Sequence, residues 1–147
     1  MTFTVRQVVV KLSVSDMARS VQFYAGLFGF KVVEKYTINV GGNFAAESYM
    51  QLDLEVSGGR PFTIGLYKDI DAPFASVPPV GTVPSFVVPD IQAALKYLQA
   101  HQVAIDSPII KNVSDEGYVD EFFFFNDPDN NSLVARQNFG KAQDGQP

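Results

Sequence analysis

Apolar and polar positions alternate with a period of two in several stretches of this chain. From Gln7 to Val14, Val10, Leu12 and Val14 fall on one side, and Val9, Lys11 and Ser13 on the other. That is the signature of a strand with one buried face. The period then lengthens: Met17, Val21, Tyr24 and Phe28 recur at helical spacing. Asp16 stands where a carboxylate can accept the free N–H groups of the first helical turn. Gly29 stands where a left-handed residue ends a helix. Lys31 to Thr37 reads as a strand. So does Tyr49 to Val56, with Leu52, Leu54 and Val56 opposite Gln51, Asp53 and Glu55. Ser57-Gly58-Gly59 predicts a turn. Phe62 to Tyr67 returns as a fourth strand, with Phe62, Ile64 and Leu66 on one face.

Between Lys68 and Gly81 the periodicity lapses. Pro73, Pro78 and Pro79 forbid a continuous helix or central strand, so residues 69–81 read as a linker. The same order of elements then recurs. Thr82 to Val88 is a strand, and Asp90 caps a helix carrying Ile91, Leu95 and Leu98 on one side. Val103 to Val113 is extended, Tyr118 to Phe125 a strand, Asp127 to Asn130 a turn, and Ser132 to Arg136 a last strand. After Gln137 the chain is polar, and residues 139–147 are expected to fray. Val14-Ser15-Asp16-Met17 matches Val88-Pro89-Asp90-Ile91 in pattern: strand end, cap, first apolar helix residue. The chain thus divides into a βαβββ module over residues 5–68 and a second over 82–138. The alternative is one α+β domain whose halves are alike by coincidence.

Composition narrows the function. With 16 acidic and 11 basic residues the net charge is -5, against a nucleic-acid partner, which calls for a basic face. The 46% apolar content suffices for a core. There is no cysteine, which rules out disulfides, a thiolate nucleophile and Cys-bound zinc. Residues 1–7 lack the apolar core of a signal peptide, and no apolar run reaches the ~20 residues needed to span a bilayer. A cytoplasmic protein with no membrane partner is the expectation.

Two segments carry a family resemblance. Val10 to Phe30, VKLSVSDMARSVQFYAGLFGF, resembles the first-module signature of the vicinal-oxygen-chelate superfamily, which groups glyoxalases, bleomycin-resistance proteins and extradiol dioxygenases. Tyr118 to Val134, YVDEFFFFNDPDNNSLV, resembles its second-module ending, with Asn130 in place of the usual Gly. Asn tolerates positive φ, so the turn is expected to survive. The resemblance implies an α+β fold of two βαβββ modules, whose curled mixed sheets enclose a cleft with the helices outside. On the alternation above, the cleft face then carries Val9, Lys11 and Ser13; Gln51, Asp53 and Glu55; Thr63, Gly65 and Tyr67. From the second module it carries Val83, Ser85 and Val87; Asp120, Phe122 and Phe124; Ser132, Val134 and Arg136.

Metal-dependent members place His, Glu or Gln on the central strands. Carried over by motif, those positions fall at Val9, Val83, Val134 and near Gly65. None offers a side-chain lone pair, so no metal and no cofactor is expected. The lone histidine, His101, is expected near the end of the second helix, where it complements the dipole. Asp53, Glu55 and Asp120 could form an oxygen-only site for Mg²⁺ or Ca²⁺ if they converged. Asp127 and Asp129 resemble part of a calcium loop, but Asp-Pro-Asp-Asn-Asn is also plain turn chemistry.

Three readings follow. The first is a small-molecule binding protein, sequestering or sensing an aromatic or cationic compound, as metal-free members that sequester bleomycin do. Its candidate ligand-binding residues are Val9, Lys11, Gln51, Asp53, Gly65, Tyr67, Val83, Ser85, Asp120, Phe122, Phe124, Val134 and Arg136. The second is a metal-free enzyme with Asp53, Glu55 or Asp120 as base and Lys11 or Arg136 holding the anion. The third is a metalloenzyme (lyase, isomerase or dioxygenase) with ligands elsewhere. Many relatives dimerise, so a homodimer is expected.

Overall fold

The computed structural model describes residues 4–75 and 81–142. Pro78 and Pro79 of the expected linker, and residues 143–147 of the expected tail, lie outside the described residues. The chain divides into two compact units, Met1–Phe74 and Ala75–Pro147.

In the first unit, strand β1 (Val9–Ser13) leads through the Asp16 cap into helix α1 (Met17–Val21). The Asp16 carboxylate accepts from the Arg19 N–H at 3.0 Å. The helix continues into a π turn over Gln22–Leu27 and stops at Gly29, whose φ of +79° is left-handed. Strands β2 (Lys31–Val32), β3 (Tyr49–Leu54) and β4 (Phe62–Tyr67) complete a sheet of order β1-β4-β3-β2. β1 runs parallel to β4, and the remaining pairs are antiparallel.

The second unit repeats this plan. Strand β5 (Ser85–Val87), helix α2 (Ile91–Ala100), and strands β6 (Ile110–Val113), β7 (Tyr118–Asn126) and β8 (Ser132–Lys141) give a sheet of order β5-β8-β7-β6. Asp90 caps α2 through the Ala93 N–H at 3.0 Å. The fold is α+β, two βαβββ modules, and neither sheet closes into a barrel.

Alternation decides which face of each sheet is core. Leu12, Val14, Leu52, Ile64 and Leu66 are buried with Met17, Phe23 and Tyr24 of the first helical segment. Phe123, Phe125, Leu133 and Ala135 are buried, as are Ile91 and Leu98 of α2. Each full burial of such a side chain contributes about 1.5–3 kcal/mol. The opposite face of each sheet therefore carries the intervening residues, of which Gln51, Thr63 and Val134 are themselves buried.

Several strand limits differ from the periodicity. The stretch Lys31–Thr37 is not one strand. It pairs only to Val33, whose N–H meets the Gln51 carbonyl at 2.8 Å, then loops out as a 3-10 turn over Glu34–Tyr36. It returns for a single bridge at Ile38. Glu34, Lys35 and Tyr36 are all exposed, so burial gives no reason to hold the ladder there. The extended stretch Val103–Val113 behaves alike. Ile105 bridges Phe125, and pairing resumes at Ile110. Pro108 has no N–H, and the Ser107 hydroxyl accepts from the Phe124 N–H at 3.0 Å in place of a carbonyl.

β3 ends at Leu54, which leaves Glu55 beyond the strand and exposed. β1 and β5 are shorter than Gln7–Val14 and Thr82–Val88. β8 runs to Lys141 instead of ending at Arg136, so Phe139, Gly140 and Lys141 of the expected frayed tail are strand. Its outer part is held by Tyr118 and Val119 across a bulge. The turn before β8 does survive without glycine, with Asn130 at φ +64°. The Asp127 carboxylate accepts from the Asp129 and Asn131 N–H groups, both at 2.9 Å, and from the Asn131 side-chain amide at 2.9 Å. That carboxylate is committed to the turn and not to a calcium loop.

Candidate functional site

The registers arrange the open face of the first sheet in rows. Val9, Thr63, Asp53 and Lys31 stand side by side across β1, β4, β3 and β2; Lys11, Gly65 and Gln51 form the next row; Ser13, Tyr67 and Tyr49 the third. Polar side chains in these rows are already paired. Gln7 donates to the Thr63 hydroxyl at 2.9 Å, and Thr63 donates to Asp53 Oδ1 at 2.6 Å. Tyr49 donates its phenol to Gln51 Oε1 at 3.0 Å. Lys11 donates to Ser13 Oγ at 2.7 Å, is ion-paired with Asp69, and places Nζ 5.6 Å from the Tyr67 ring centre. Burial pushes the Asp69 carboxyl up, but hydrogen bonds from Lys11 and Ser13, with the Lys11 charge, outweigh it and leave Asp69 below the usual carboxylate range.

Gly65 is the centre of this face. A Cβ built there would stand 2.6 Å from Tyr49 Oη and 2.7 Å from Cε1 of the same ring. The Tyr49 ring therefore lies directly over the glycine, and burial pushes its phenol above the ordinary tyrosine value. The small residue is what admits the large one.

In the second unit the rows are Ser85, Val134 and Phe124; then Val87, Arg136, Phe122 and Ile110; then Asn138, Asp120 and Asn112. Phe122 and Phe124 are half-buried and pack edge to face, with ring centres 5.7 Å apart. Asp120 is paired with Arg136, Oδ2 to Nε at 2.7 Å, and Arg136 Nε also lies 2.9 Å from Asn138 Oδ1. Asp120 Oδ1 is buried and has no hydrogen-bond partner, a condition shared among the described residues by Thr37 Oγ1. Val83 precedes β5 and is half-buried. His101 caps α2 on the outside, its Nδ1 2.8 Å from the Tyr97 carbonyl and its ring against Tyr97.

The four positions where the resemblance places metal ligands do not fit a divalent cation. Val9, Val83 and Val134 have no lone pair, and the space over Gly65 belongs to Tyr49. Asp53 and Asp120 lie in different units and are each engaged with a neighbour of their own, Thr63 and Arg136. Among the described residues no three His, Cys, Asp or Glu side chains cluster as a metal site would require.

A sequence profile described as the glyoxalase/bleomycin resistance protein/dioxygenase superfamily matches residues 6–134. The chain belongs to this superfamily. Solved structures of similar shape agree on the fold. A glyoxalase family protein from Enterococcus faecalis is 21% identical, with 90% of this chain and 96% of that one covered, at a TM-score of 0.58. A glyoxalase/bleomycin resistance protein/dioxygenase from Alicyclobacillus acidocaldarius is 15% identical over 90% and 91% of the two chains, at 0.61. The genomically encoded fosfomycin resistance protein FosX of Listeria monocytogenes is 14% identical over 92% and 94%, also at 0.61. At these identities the likeness concerns the fold. No curated protein matches the sequence.

Within this glyoxalase-superfamily chain, periodicity places Lys11, Gln51, Asp53, Gly65 and Tyr67 together on one open face, and Asp120, Phe122, Phe124, Val134 and Arg136 on another. It passes over Tyr49, two residues before Gln51, although one more step of the same alternation reaches it. It also passes over Asn138, because the expected last strand ends at Arg136, five residues short of Lys141, and over Asn112 on β6, where Val103–Val113 shows no alternation to assign a face. Asp69 is missed because it stands in the expected linker. Nothing in the local pattern signals that Lys11 reaches it. No helix among the described residues is long and apolar enough to cross a membrane.

Proposed function

We propose that this chain is a metal-independent small-molecule binding protein of the glyoxalase/bleomycin-resistance type, which sequesters or senses an aromatic or cationic compound on the open faces of its sheets. The observation that carries this reading is the filling of the metal positions: three valines, and a glycine covered by the Tyr49 ring. Oxygen-chelating chemistry rests on a Lewis-acidic ion held by about three protein donors, and these positions offer none. What the faces do offer suits binding. Phe122, Phe124 and Tyr67 present ring surface, which is worth about 0.5–1.5 kcal/mol per stacked pair. The engagement of Asp53 by Thr63 and of Asp120 by Arg136 favours a binding role over a free base. The candidate ligand-binding residues remain Val9, Lys11, Gln51, Asp53, Gly65, Tyr67, Val83, Ser85, Asp120, Phe122, Phe124, Val134 and Arg136.

Two measurements test the reading together. Elemental analysis of the purified protein, with calorimetric titration of Mg²⁺, Mn²⁺, Ni²⁺ and Zn²⁺, should find no stoichiometric ion. A thermal-shift screen over planar aromatic amines, amides and cations should find compounds that raise the melting temperature without being consumed. One equivalent of tightly held metal, or silence across the panel, would refute it. A homodimer belongs to the same reading, and sedimentation velocity should give twice the chain mass.

A further inference from the structure

A depression of about 520 Å³ lies at one end of the first sheet, within the range of about 300–1,000 Å³ usual for small-molecule sites. β1 and β4 run parallel, so both strands enter the sheet at that end. Arg6, Gln7 and Val8 lead into β1, and Arg60, Pro61 and Phe62 open β4; together they line the depression. Val9 stands beside Thr63, so Val8 falls beside Phe62. Both share the parity of Leu12 and Ile64, which are buried, and the Phe62 ring centre lies 6.3 Å from that of Phe30. The apolar wall thus belongs to the helix-packed side of the sheet, opposite the face that carries Lys11 and Gln51.

Three features of the lining point to one ligand class. The first is uncompensated charge. Arg6 and Arg60 line the depression, and no carboxylate does so among the described residues. Neither guanidinium forms an ion pair among the described residues, although the chain as a whole carries a net charge of -5. Two like charges on one small concave surface repel, and an anion placed between them relieves that repulsion. The second is access combined with order. Both arginines are exposed, so a solute reaches them directly. Arg60 Nη1 donates to the Arg6 carbonyl at 2.7 Å, which anchors that guanidinium at the mouth. One of its five N–H groups is used there, and the others remain for an acceptor. The third is the wall itself. Val8 is 68% exposed and stands with Pro61 and the half-buried Phe62 beside the charges, offering contact to an apolar body.

We propose that this depression is a binding site for a small phosphate monoester, with its anionic head on Arg6 and Arg60 and its organic body on Val8, Pro61 and Phe62. A phosphate monoester carries about -1.5 to -2 near pH 7, which matches the two guanidiniums. Arginine forks suit phosphate oxygens in pairs. Two positive side chains on an otherwise acidic chain do not suit a polyanion such as a nucleic acid, whose binding draws on many cations at once. The site goes beyond the binding reading above, because it shares none of the candidate residues of the open faces.

The test uses the whole chain, with amide chemical shifts and titrated affinity for four probes. Phenyl phosphate carries head and ring, inorganic phosphate the head alone, benzyl alcohol the ring alone, and benzoate a ring with a single charge. Phenyl phosphate should shift the amides of Val8, Arg60 and Phe62 and bind more tightly than each of the others. Arg6→Gln and Arg60→Gln should each weaken it about threefold to tenfold, the range expected between an exposed ion pair and a charge-assisted hydrogen bond. Arg60→Lys keeps the charge without the fork and should fall between wild type and Arg60→Gln. Val8→Ser should shrink the advantage of phenyl phosphate over inorganic phosphate. Both arginines are exposed, and the amide spectrum of residues 81–142 reports independently that each variant stays folded. Unchanged affinity in the arginine variants, or shifts confined to other residues, would overturn the proposal. So would inorganic phosphate binding as tightly as phenyl phosphate, which would mean an adventitious ion only, or benzoate binding as tightly, which would remove the phosphate assignment. Aromatic cations that perturb Tyr67, Phe122 or Phe124 would uphold the open-face reading whatever happens here, so the two can fail separately.

Discussion

Replacing Gly65 by alanine tests the closest packing on the first sheet. The added Cβ would stand 2.6 Å and 2.7 Å from Oη and Cε1 of Tyr49, well inside contact distance, so the ring must move. Overpacking of this kind costs about 1–3 kcal/mol. Displacing the ring also breaks its hydrogen bond to Gln51, at 3.0 Å, worth about 1 kcal/mol. Alanine restricts the unfolded chain more than glycine does, and at a compatible backbone that returns about 0.4–1 kcal/mol. The net expectation is a loss of roughly 1–3 kcal/mol.

The deciding comparison is a double-mutant cycle with Tyr49→Ala. Once the ring is gone, Gly65→Ala should be neutral or slightly stabilising, which gives a coupling of about 1.5–3 kcal/mol. Urea denaturation followed by far-ultraviolet circular dichroism supplies the stabilities, and equal m-values are required. A second readout is the phenol itself. Burial holds it above the ordinary tyrosine value, so its neutral form contributes stability that is intact below about pH 10. That contribution is lost as pH rises through the folded value. In Gly65→Ala the displaced ring should titrate closer to an ordinary tyrosine. If Gly65→Ala costs the same with and without Tyr49, the argument that the glycine exists to admit the ring is wrong.

Other consequences are simpler to state. Lys11→Met should bring the depressed Asp69 carboxyl back toward the ordinary value, seen by carbon-13 titration. The sign follows: the pair's small stabilisation is present above the unfolded value near pH 4 and is lost as pH falls through the folded one. With side chains 50% and 31% exposed the effect on stability should be slight. At Asn130, φ +64° makes glycine neutral or mildly favourable, while valine should cost about 1–2 kcal/mol by thermal melts. Asp16→Ala and Asp90→Ala each remove a cap and should each cost about 1 kcal/mol. Because the two caps belong to separate units, their losses should add within about 0.5 kcal/mol.

The fold was legible because two periods are hard to mistake. Strand alternation at Val10, Leu12 and Val14, and again at Phe123 and Phe125, assigns the core face of each sheet without reference to anything distant. Asp16 and Asp90 mark the same joint in each module. What local pattern does not carry is pairing across the sheet. Tyr49 acquires its meaning from Gly65, which is a cross-strand diagonal and not a neighbour in sequence. Lys11 and Asp69 meet across 58 positions. The end of β8 is hidden in the sequence because Asn138, Gly140 and Lys141 look like a tail, whereas a register shift at Val119 and Asp120 lets them stay in the ladder. Polar composition suggests exposure correctly there, and disorder wrongly.

The interruptions in the two border strands have a consequence for solubility. A long, flat strand at a sheet margin is a template on which other chains can add and grow into fibrils. At one margin of each sheet the ladder breaks after only a few residues, by the looped-out Glu34–Tyr36 in one unit and by Ser107 and Pro108 in the other. An incoming segment would find no unbroken register to copy. Straightening either margin, for example by deleting the loop or replacing Pro108, should raise the tendency of copies to pair edge to edge, read as faster growth of light scattering and thioflavin fluorescence.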